Sequence, residues 1–317
     1  MPVKPDDISG LLNIDKPQGI TSHDVVARLR KLTGHRKVGH AGTLDPLATG
    51  VLLICLGQAT RLSEYLMPGR KRYRATICFG VTTDTLDAQG QTTAIKDASH
   101  LSEPFLRELL PNFLGEIEQV PPIFSAIKSG GKPLYKLARA GQKVKVGPRQ
   151  VTIYALRFIS WHSPRLTLEV TCSAGTYIRS LARDLGNDAA TGAHLTQLTR
   201  TASGNWSLHD AVSLDRLVRE VESNQTAWQK YLYPLDLAVA HLPSVTLTET
   251  ATSHVRHGRQ IELNVVPFIP ETGTPPELVR AYTPAGDFLA ILTRVKSSDK
   301  LWQPKKVFDS GSIKLAS

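Results

Sequence analysis

Gly39-His40-Ala41-Gly42-Thr43-Leu44-Asp45-Pro46-Leu47-Ala48-Thr49-Gly50 runs straight into Val51-Leu52-Leu53-Ile54-Cys55-Leu56. Three glycines, one proline, one histidine and one carboxylate stand between two ordered apolar segments. Glycine lets backbone take φ > 0 or approach a ligand closely. An Asp before Pro is pushed to an extended conformation, which projects its side chain from the loop. Asp45 is therefore either a turn-forming residue that bonds its own backbone or a group held out for chemistry. Composition alone weighs the two evenly. His40 by itself reads most simply as a loop histidine.

Working outward, Leu11-Leu12-Asn13-Ile14-Asp15-Lys16-Pro17-Gln18-Gly19 reads as a short strand ending in a Pro/Gly turn. Thr21 or Ser22 then caps a helix carrying Val25, Val26, Leu29 and Leu32, and Gly34 ends it. The aliphatic stretch 51–56 is a buried strand or helix. Ala75, Ile77 and Phe79 alternate, which predicts a strand over 74–79. Residues 82–90 are turn-like. Ser102 caps a helix that opens with Glu103 and Pro104, and Pro111 kinks or ends it. Leu166, Leu168, Val170 and Cys172 alternate again, Ser173-Ala174-Gly175 turns, and Ile178, Leu181, Ala182 and Leu185 return at helical spacing until Gly186. Arg179 thus stands past a strand end, in the first turn of a helix, a common place for site residues. Residues 221–234 read as a connection. Beyond about Val239, short strand-like runs at 245–247, 259–263, 278–282 and 288–295 predict a small β-rich second part.

Two domains are expected of 317 residues. With 41% hydrophobic and 21% charged residues and a mean hydropathy of −0.15, wholesale disorder is excluded. The longest aliphatic run is far short of the roughly 18 residues a membrane span needs. Residues 1–7 show no apolar core behind a basic start, so a cytoplasmic protein without a secretory leader is expected. Cys55, Cys78 and Cys172 sit in apolar or alternating text without metal-site spacing, and fit small core residues in a reducing compartment.

The charge points to a partner. Lys and Arg number 38 against 28 Asp and Glu, a net +10. That balance favours a polyanion, nucleic acid before an acidic membrane. Between Gln119 and Leu168 there is no Asp or Glu at all, while nine Lys and Arg occur, among them Lys128, Lys132, Lys136 and Arg149. Solvated segments usually mix both signs, so the stretch predicts a mobile positive arm that grips phosphates.

Cofactor signatures fail. There is no Gly-x-x-x-x-Gly-Lys-Ser/Thr, no Gly-x-Gly-x-x-Gly followed by an acid, no paired histidines beside an acid and no Gly-x-Ser-x-Gly elbow. The chemistry is expected to need no cofactor and no metal.

At this point the order of motifs resembles the TruB family of tRNA pseudouridine synthases. Residues 39–50 with Val51-Leu52-Leu53 resemble its signature loop. Asp15-Lys16-Pro17-Gln18-Gly19-Ile20-Thr21-Ser22, Lys71-Arg72-Tyr73-Arg74, Thr83-Asp84-Thr85-Leu86-Asp87-Ala88-Gln89-Gly90, Cys172-Ser173-Ala174-Gly175-Thr176-Tyr177-Ile178-Arg179-Ser180-Leu181, Gly192-Ala193-His194-Leu195 and Leu198-Thr199-Arg200 are similar to its other motifs, in the same order. The tail ending Leu301-Trp302-Gln303-Pro304-Lys305-Lys306-Val307-Phe308 resembles the PUA-type tail of some members.

The resemblance implies an α+β fold: a mixed, largely antiparallel pseudouridine-synthase sheet flanked by helices and loops over 1–236, and a small β-rich PUA-like RNA-binding domain over 237–317. A basic RNA-binding insertion is placed at about 124–149. The implied reaction is isomerisation of the T-loop uridine of tRNA, position 55, to pseudouridine. The base is flipped from the loop into a pocket. Asp45 is the implied catalytic carboxylate, acting either as a nucleophile at C1′ or as a base at C2′. Arg179 keeps it ionised, and Tyr73 stacks on the extruded base. His40 fills the space the base leaves, Leu198 walls the pocket, Lys16 and Pro17 brace the loop or bind RNA, and Tyr177, Lys128 and Lys132 join the RNA contacts. The expected partner is the tRNA T-arm stem-loop, with no membrane, no obligate protein partner and a monomeric enzyme. A guide-RNA-dependent synthase, a tRNA chaperone without chemistry and a glycoside hydrolase remain as alternatives.

Overall fold

The computed structural model describes residues 8–125, 127–142, 144, 146–263, 276–296, 298 and 300–308, and within these not the side chains of Lys128, Ser129, Tyr135 and Arg139. The aliphatic stretch after the glycine-rich loop becomes the strand Thr49–Leu56. It pairs antiparallel with Gly10–Lys16 along its whole length, from Gly10 opposite Leu56 to Lys16 opposite Gly50. Residues 51–56 are all buried, because both faces of this strand are covered. The main sheet runs in the order Val212–Ser213, Gly10–Lys16, Thr49–Leu56, Ala193–Ser203, Lys71–Phe79, Arg165–Cys172, Arg149–His162 and Gly115–Gln119. Two pairings, Gly10–Lys16 with Val212–Ser213 and Thr49–Leu56 with Ala193–Ser203, are parallel. The others along this path are antiparallel, so the sheet is mixed and largely antiparallel, as expected.

Helices cover one face. Ser22–Thr33 starts with a capping box between Thr21 and Asp24 and stops at Gly34 in the left-handed conformation. Its Val25, Val26 and Leu29 join the core under Leu12, Ile14, Leu52 and Ile54. Ile178–Asp188 packs Leu181, Ala182 and Leu185 against the same core. Gly186 does not stop this helix. It lies inside it, and a Cβ there would meet the backbone of Gly192 and Ala193, so its smallness serves close packing. Pro111 does end the helix Glu103–Leu109, which passes into a 3-10 turn over Leu110–Phe113.

The segment expected as a connection is partly ordered. Val221 belongs to the helix Leu214–Ser223, capped by Ser213, with Leu214, Leu217 and Val221 buried at helical spacing among charged neighbours. Trp228, on the turn Ala227–Tyr231, packs edge-on against His35. The acid-free stretch also divides. Its later half enters the main sheet as Arg149–His162 and Arg165–Cys172. Its earlier half makes a separate hairpin, Lys128–Ser129 with Lys132–Pro133, and the helix Leu134–Arg139.

The C-terminal part is a five-stranded sheet in the order Ser244–Thr246, Leu278–Tyr282, Phe288–Arg294, Leu301–Val307 and Ile261–Glu262. The helix Glu249–Arg256 packs Val255 on it, in one core with Val279, Leu292 and Trp302. The expected boundary at 236/237 falls inside the 3-10 turn Leu235–Val239. That turn shares a second core with Leu11, Val51 and Leu53 of the main sheet and Ile291 and Phe308 of the C-terminal part.

Candidate active site

Val38–Ala41 and Thr49–Leu56 form a hairpin, and the loop between them carries Asp45. Gly42 and Gly50 have φ of 91° and 98°, which only glycine adopts freely. Three neighbours fix the loop. Ser22 Oγ donates to the Leu44 carbonyl at 3.1 Å, and the Leu44 N–H donates back at 2.9 Å. The Gly19 N–H reaches the Pro46 carbonyl at 2.8 Å, tying the Pro/Gly turn to Asp45-Pro46. Arg200, 2% exposed, donates to the carbonyls of Val51 at 2.7 Å and Gly42 at 2.9 Å. Asp45 therefore stands on a loop clamped from three sides, which limits the freedom of its carboxylate.

Opposite it, Arg179 enters from the first turn of Ile178–Asp188. Gln119 holds the residue before that helix, accepting from the Tyr177 N–H at 2.8 Å and donating to its carbonyl at 3.1 Å. Arg179 Nε lies 2.8 Å from Asp45 Oδ2, and Nη1 lies 3.5 Å from Asp87 Oδ2. The Nε–H is not aligned for a hydrogen bond, so the pair is chiefly coulombic. The fork is anchored instead on the carbonyls of Thr85 and Phe124, each at 3.0 Å. Arg179 is 4% exposed, whereas the Asp45 side chain keeps 35% of its surface open. Burial pushes the Asp45 carboxyl above its ordinary value by more than Arg179 pulls it down, and Asp87 adds to the rise. The guanidinium is thus the main group that opposes protonation of this carboxylate, with Lys16 as a lesser one.

Both groups line a cavity of about 390 Å³ with Tyr73, Tyr177, Leu198 and Arg200, within the range of small-molecule sites. Tyr73 and Leu198 come from neighbouring strands, Leu198 opposite Ala75 and Arg200 opposite Tyr73. Burial raises the Tyr73 hydroxyl, as it does that of Tyr177. Both hydroxyls are neutral at pH 7. The cavity thus offers one carboxylate, flat aromatic and aliphatic walls, and cations. An ionised carboxylate so placed can attack an electrophilic carbon or take a proton from a ring held against the walls.

The remaining expected residues lie outside the lining. Lys16 is fully buried, and its Nζ donates to the carbonyls of Pro17 at 2.9 Å and Ile20 at 2.8 Å, below the loop. Burial brings it down to about 8. His40 is half-buried, its ring edge-on to His23 with centroids 5.3 Å apart. Lys132 is exposed on the hairpin, and the Lys128 side chain is outside the described residues. The sequence assigns no separate role to Lys71, Ser125 or Arg200, and Asp87 enters there only as a candidate carboxylate, with Asp45 and Asp84, of the glycoside-hydrolase alternative. Lys71 and Arg200 had a legible signal, since each is a charge on the inward phase of an alternating strand. Ser125 and Asp87 lie in loops, where no periodicity marks them. Among the described residues no three His, Cys, Asp or Glu side chains gather as a metal site.

The description "TruB family pseudouridylate synthase (N terminal domain)" matches residues 30–178. "tRNA pseudouridylate synthase B C-terminal domain" matches 179–240. The chain is 42% identical to a tRNA pseudouridine synthase B of Dehalococcoides mccartyi over 301 residues, 95% of this chain and 97% of that one. It is 45% identical to the protein of that name from Thiobacillus denitrificans, over 90% and 91% of the two chains. The structure described as "Crystal Structure of a Cbf5-Nop10-Gar1 Complex" superposes with a TM-score of 0.72 at 27% identity, over 98% of this chain and 88% of that one. A second, "Structure of H/ACA RNP bound to a substrate RNA containing 2'-deoxyuridine", gives 0.71 at 26%, over 96% and 86%. Identity above two fifths along nearly the full length of two proteins reflects common descent, and this chain belongs to the TruB family of pseudouridylate synthases, isomerases that modify RNA.

Proposed function

We propose that this enzyme isomerises the T-loop uridine at position 55 of tRNA to pseudouridine, with Asp45 as the catalytic carboxylate. The observation that carries the reading is the Asp45–Arg179 contact of 2.8 Å in the wall of a cavity of about 390 Å³. The curated relatives at 42% and 45% identity bear the name tRNA pseudouridine synthase B, which supports tRNA as the substrate. The bond between C1′ and N1 breaks, the uracil turns, C5 bonds to C1′, and the C5 proton leaves while N1 gains one. Asp45 serves by attack at C1′ or by removal of the C2′ proton, and needs its charge for either. Arg179 sustains that charge and touches no substrate in this scheme. Tyr73 stacks on the flipped base and Leu198 closes the pocket on its other side, with Tyr177 on the rim.

Lys16 supports the loop, and His40 takes the space the base leaves in the RNA. Lys128 and Lys132, on the basic insertion at about 124–149, grip phosphates of the T-arm, as the net +10 suits. The sheet within 237–317 acts as a PUA-like RNA-binding domain beside the catalytic part over 1–236. The enzyme works in the cytoplasm as a monomer, without guide RNA or obligate protein partner. The relatives at higher identity bear the name of an enzyme alone, and the solved structures of a Cbf5-Nop10-Gar1 complex and of an RNA-bound H/ACA RNP are more distant at 27% and 26%.

The test is an unmodified T-arm stem-loop transcript incubated with the purified protein, with pseudouridine scored by chemical mapping. Product is expected without added RNA or protein. Asp45→Asn is expected to abolish product and leave binding within about tenfold, because it removes charge and little volume. Tight, salt-sensitive binding without product points to a chaperone, and turnover that appears only with a guide RNA points to a guided synthase. Either result overturns the proposal.

A further inference from the structure

Lys71 is an ammonium the scheme above leaves unused. It opens the strand Lys71–Phe79, whose alternate residues Lys71, Tyr73, Ala75, Ile77 and Phe79 face inward. It lines the same cavity as Asp45 yet is only 5% exposed. Among the described residues the one hydrogen bond of its ammonium is from Nζ to Ser203 Oγ, 3.0 Å away on the neighbouring strand. An ammonium has three donors, so two are left for whatever enters. No carboxylate of the described residues stands within ion-pair distance. The charged and titratable groups facing it are Cys172 on one flanking strand and Arg200 on the other, with Tyr73 two residues along its own. Burial, with Arg200 adding to it, brings Lys71 down to about 8.

A buried cation without a counter-ion costs several kcal/mol. Packing alone would be served by Met or Leu. Around the cavity Lys71, Arg179 and Arg200 face a single lining carboxylate, Asp45, so the site has positive charge in excess until something anionic forms in it. When the C1′–N1 bond breaks, the electron pair stays on the uracil, which becomes an anion with its charge shared between N1 and the carbonyl oxygens. With the flipped base stacked on Tyr73, that anion forms beside Lys71, which lines the same cavity two residues along the strand. Resting on the pseudouridine-synthase reading, we propose that Lys71 is a further catalytic residue, whose ammonium stabilises the detached uracil anion through a carbonyl oxygen. It stays protonated throughout and is not the base for the C5 proton.

The experiment compares wild type, Lys71→Met and Lys71→Gln in single-turnover reactions on stem-loops carrying uridine or 5-fluorouridine at the target position. Fluorine withdraws electrons, so the departing ring needs less help. Loss of the original nucleoside is read by chromatography of nuclease digests, and affinity by equilibrium binding. Lys71→Met is expected to react about 100-fold slower on uridine, the scale of losing one donor to a developing anion. Its binding is expected to change less than threefold, and its deficit to shrink at least tenfold on 5-fluorouridine. Its melting temperature is expected to equal or exceed that of wild type, because an apolar side chain replaces an unpaired charge. Lys71→Gln keeps a donor for Ser203 and lacks the charge, so the same deficit is expected there, and it decides the matter if the Met variant does not fold. A wild-type rate in Lys71→Gln, equal deficits on the two substrates, or weakened binding at an unchanged rate overturns the role of Lys71. Absence of product with wild type instead overturns the activity itself.

Discussion

His40 Nδ1 is buried without a hydrogen-bond partner, and burial, with His23 and Arg200 adding to it, holds the ring at about 4. An unfolded histidine titrates near 6.5. Between about 4 and 6.5 the unfolded chain therefore binds a proton that the folded chain refuses, and stability rises with pH across that window. The contribution is fully present above 6.5 and is lost as pH falls toward 4. His40→Gln removes the titration, so its melting temperature is expected to fall less between pH 7 and pH 5 than that of wild type. Equal falls in parallel thermal melts would refute the assignment. The sequence marked the loop around His40 through its glycines and its Asp-Pro pair, because those residue types act locally. It did not mark Lys71, because the alternation that predicts this strand begins at Arg74, nor Arg200, because the alternation of its own strand Ala193–Ser203 is broken by a register shift between Leu195 and Gln197. Extended back to Lys71, the same period puts a charge on the buried face.

At the scale of elements, the loop carrying Asp45 is a hairpin connection whose shape is imposed from a third strand. Arg200 Nε and Nη2 grip the carbonyls of Val51 and Gly42, one after the loop and one at its start. Gly50 lies so close to the Arg200 backbone that a Cβ there would overlap it. Lysine keeps the charge of Arg200 and loses the planar fork. Arg200→Lys is expected to cost about 2 kcal/mol of stability, the scale of a buried hydrogen bond to a charged group. It is also expected to slow turnover at least tenfold, since small misplacements of a catalytic group carry large rate penalties. Denaturant melts and single-turnover rates measure both, and an unchanged rate would show that Asp45 is positioned without the clamp. Caps and alternation made most elements legible beforehand, as with Thr21 and Gly34 around Ser22–Thr33. The failures were of context. Gly186 carries the residue type of a helix stop, and the contact that explains it, with Gly192 and Ala193, is visible only once the strand Ala193–Ser203 is in place.

For the whole molecule, the short strand-like runs foretold a β-rich C-terminal part, and alternation says which face of a strand is apolar without saying what covers it. The outer face of the main sheet, with Leu11, Val51, Leu53 and Cys55, is covered by the turn Leu235–Val239 and by Ile291 and Phe308. Leu11 and Phe308 lie nearly the whole chain apart, so no window of sequence contains both. Phe308 is 1% exposed and stacks on Phe288 with centroids 5.1 Å apart. Arg61, which follows the strand Thr49–Leu56 of the main sheet, lies over its ring at 5.0 Å and donates to the Val307 carbonyl at 2.7 Å. The two sheets thus share one core, and loss of that core is expected to be felt by both. Phe308→Ala is expected to lower stability by about 3 kcal/mol, the low end for a buried Phe. The main transition should move as a unit, followed through Trp302 in the C-terminal core and Trp228 in the core under the main sheet. Each can be read alone in variants where the other tryptophans are replaced by Phe. A shift confined to Trp302, with Trp228 melting as in wild type, would mean that the C-terminal sheet docks on a main-sheet part that stands without it.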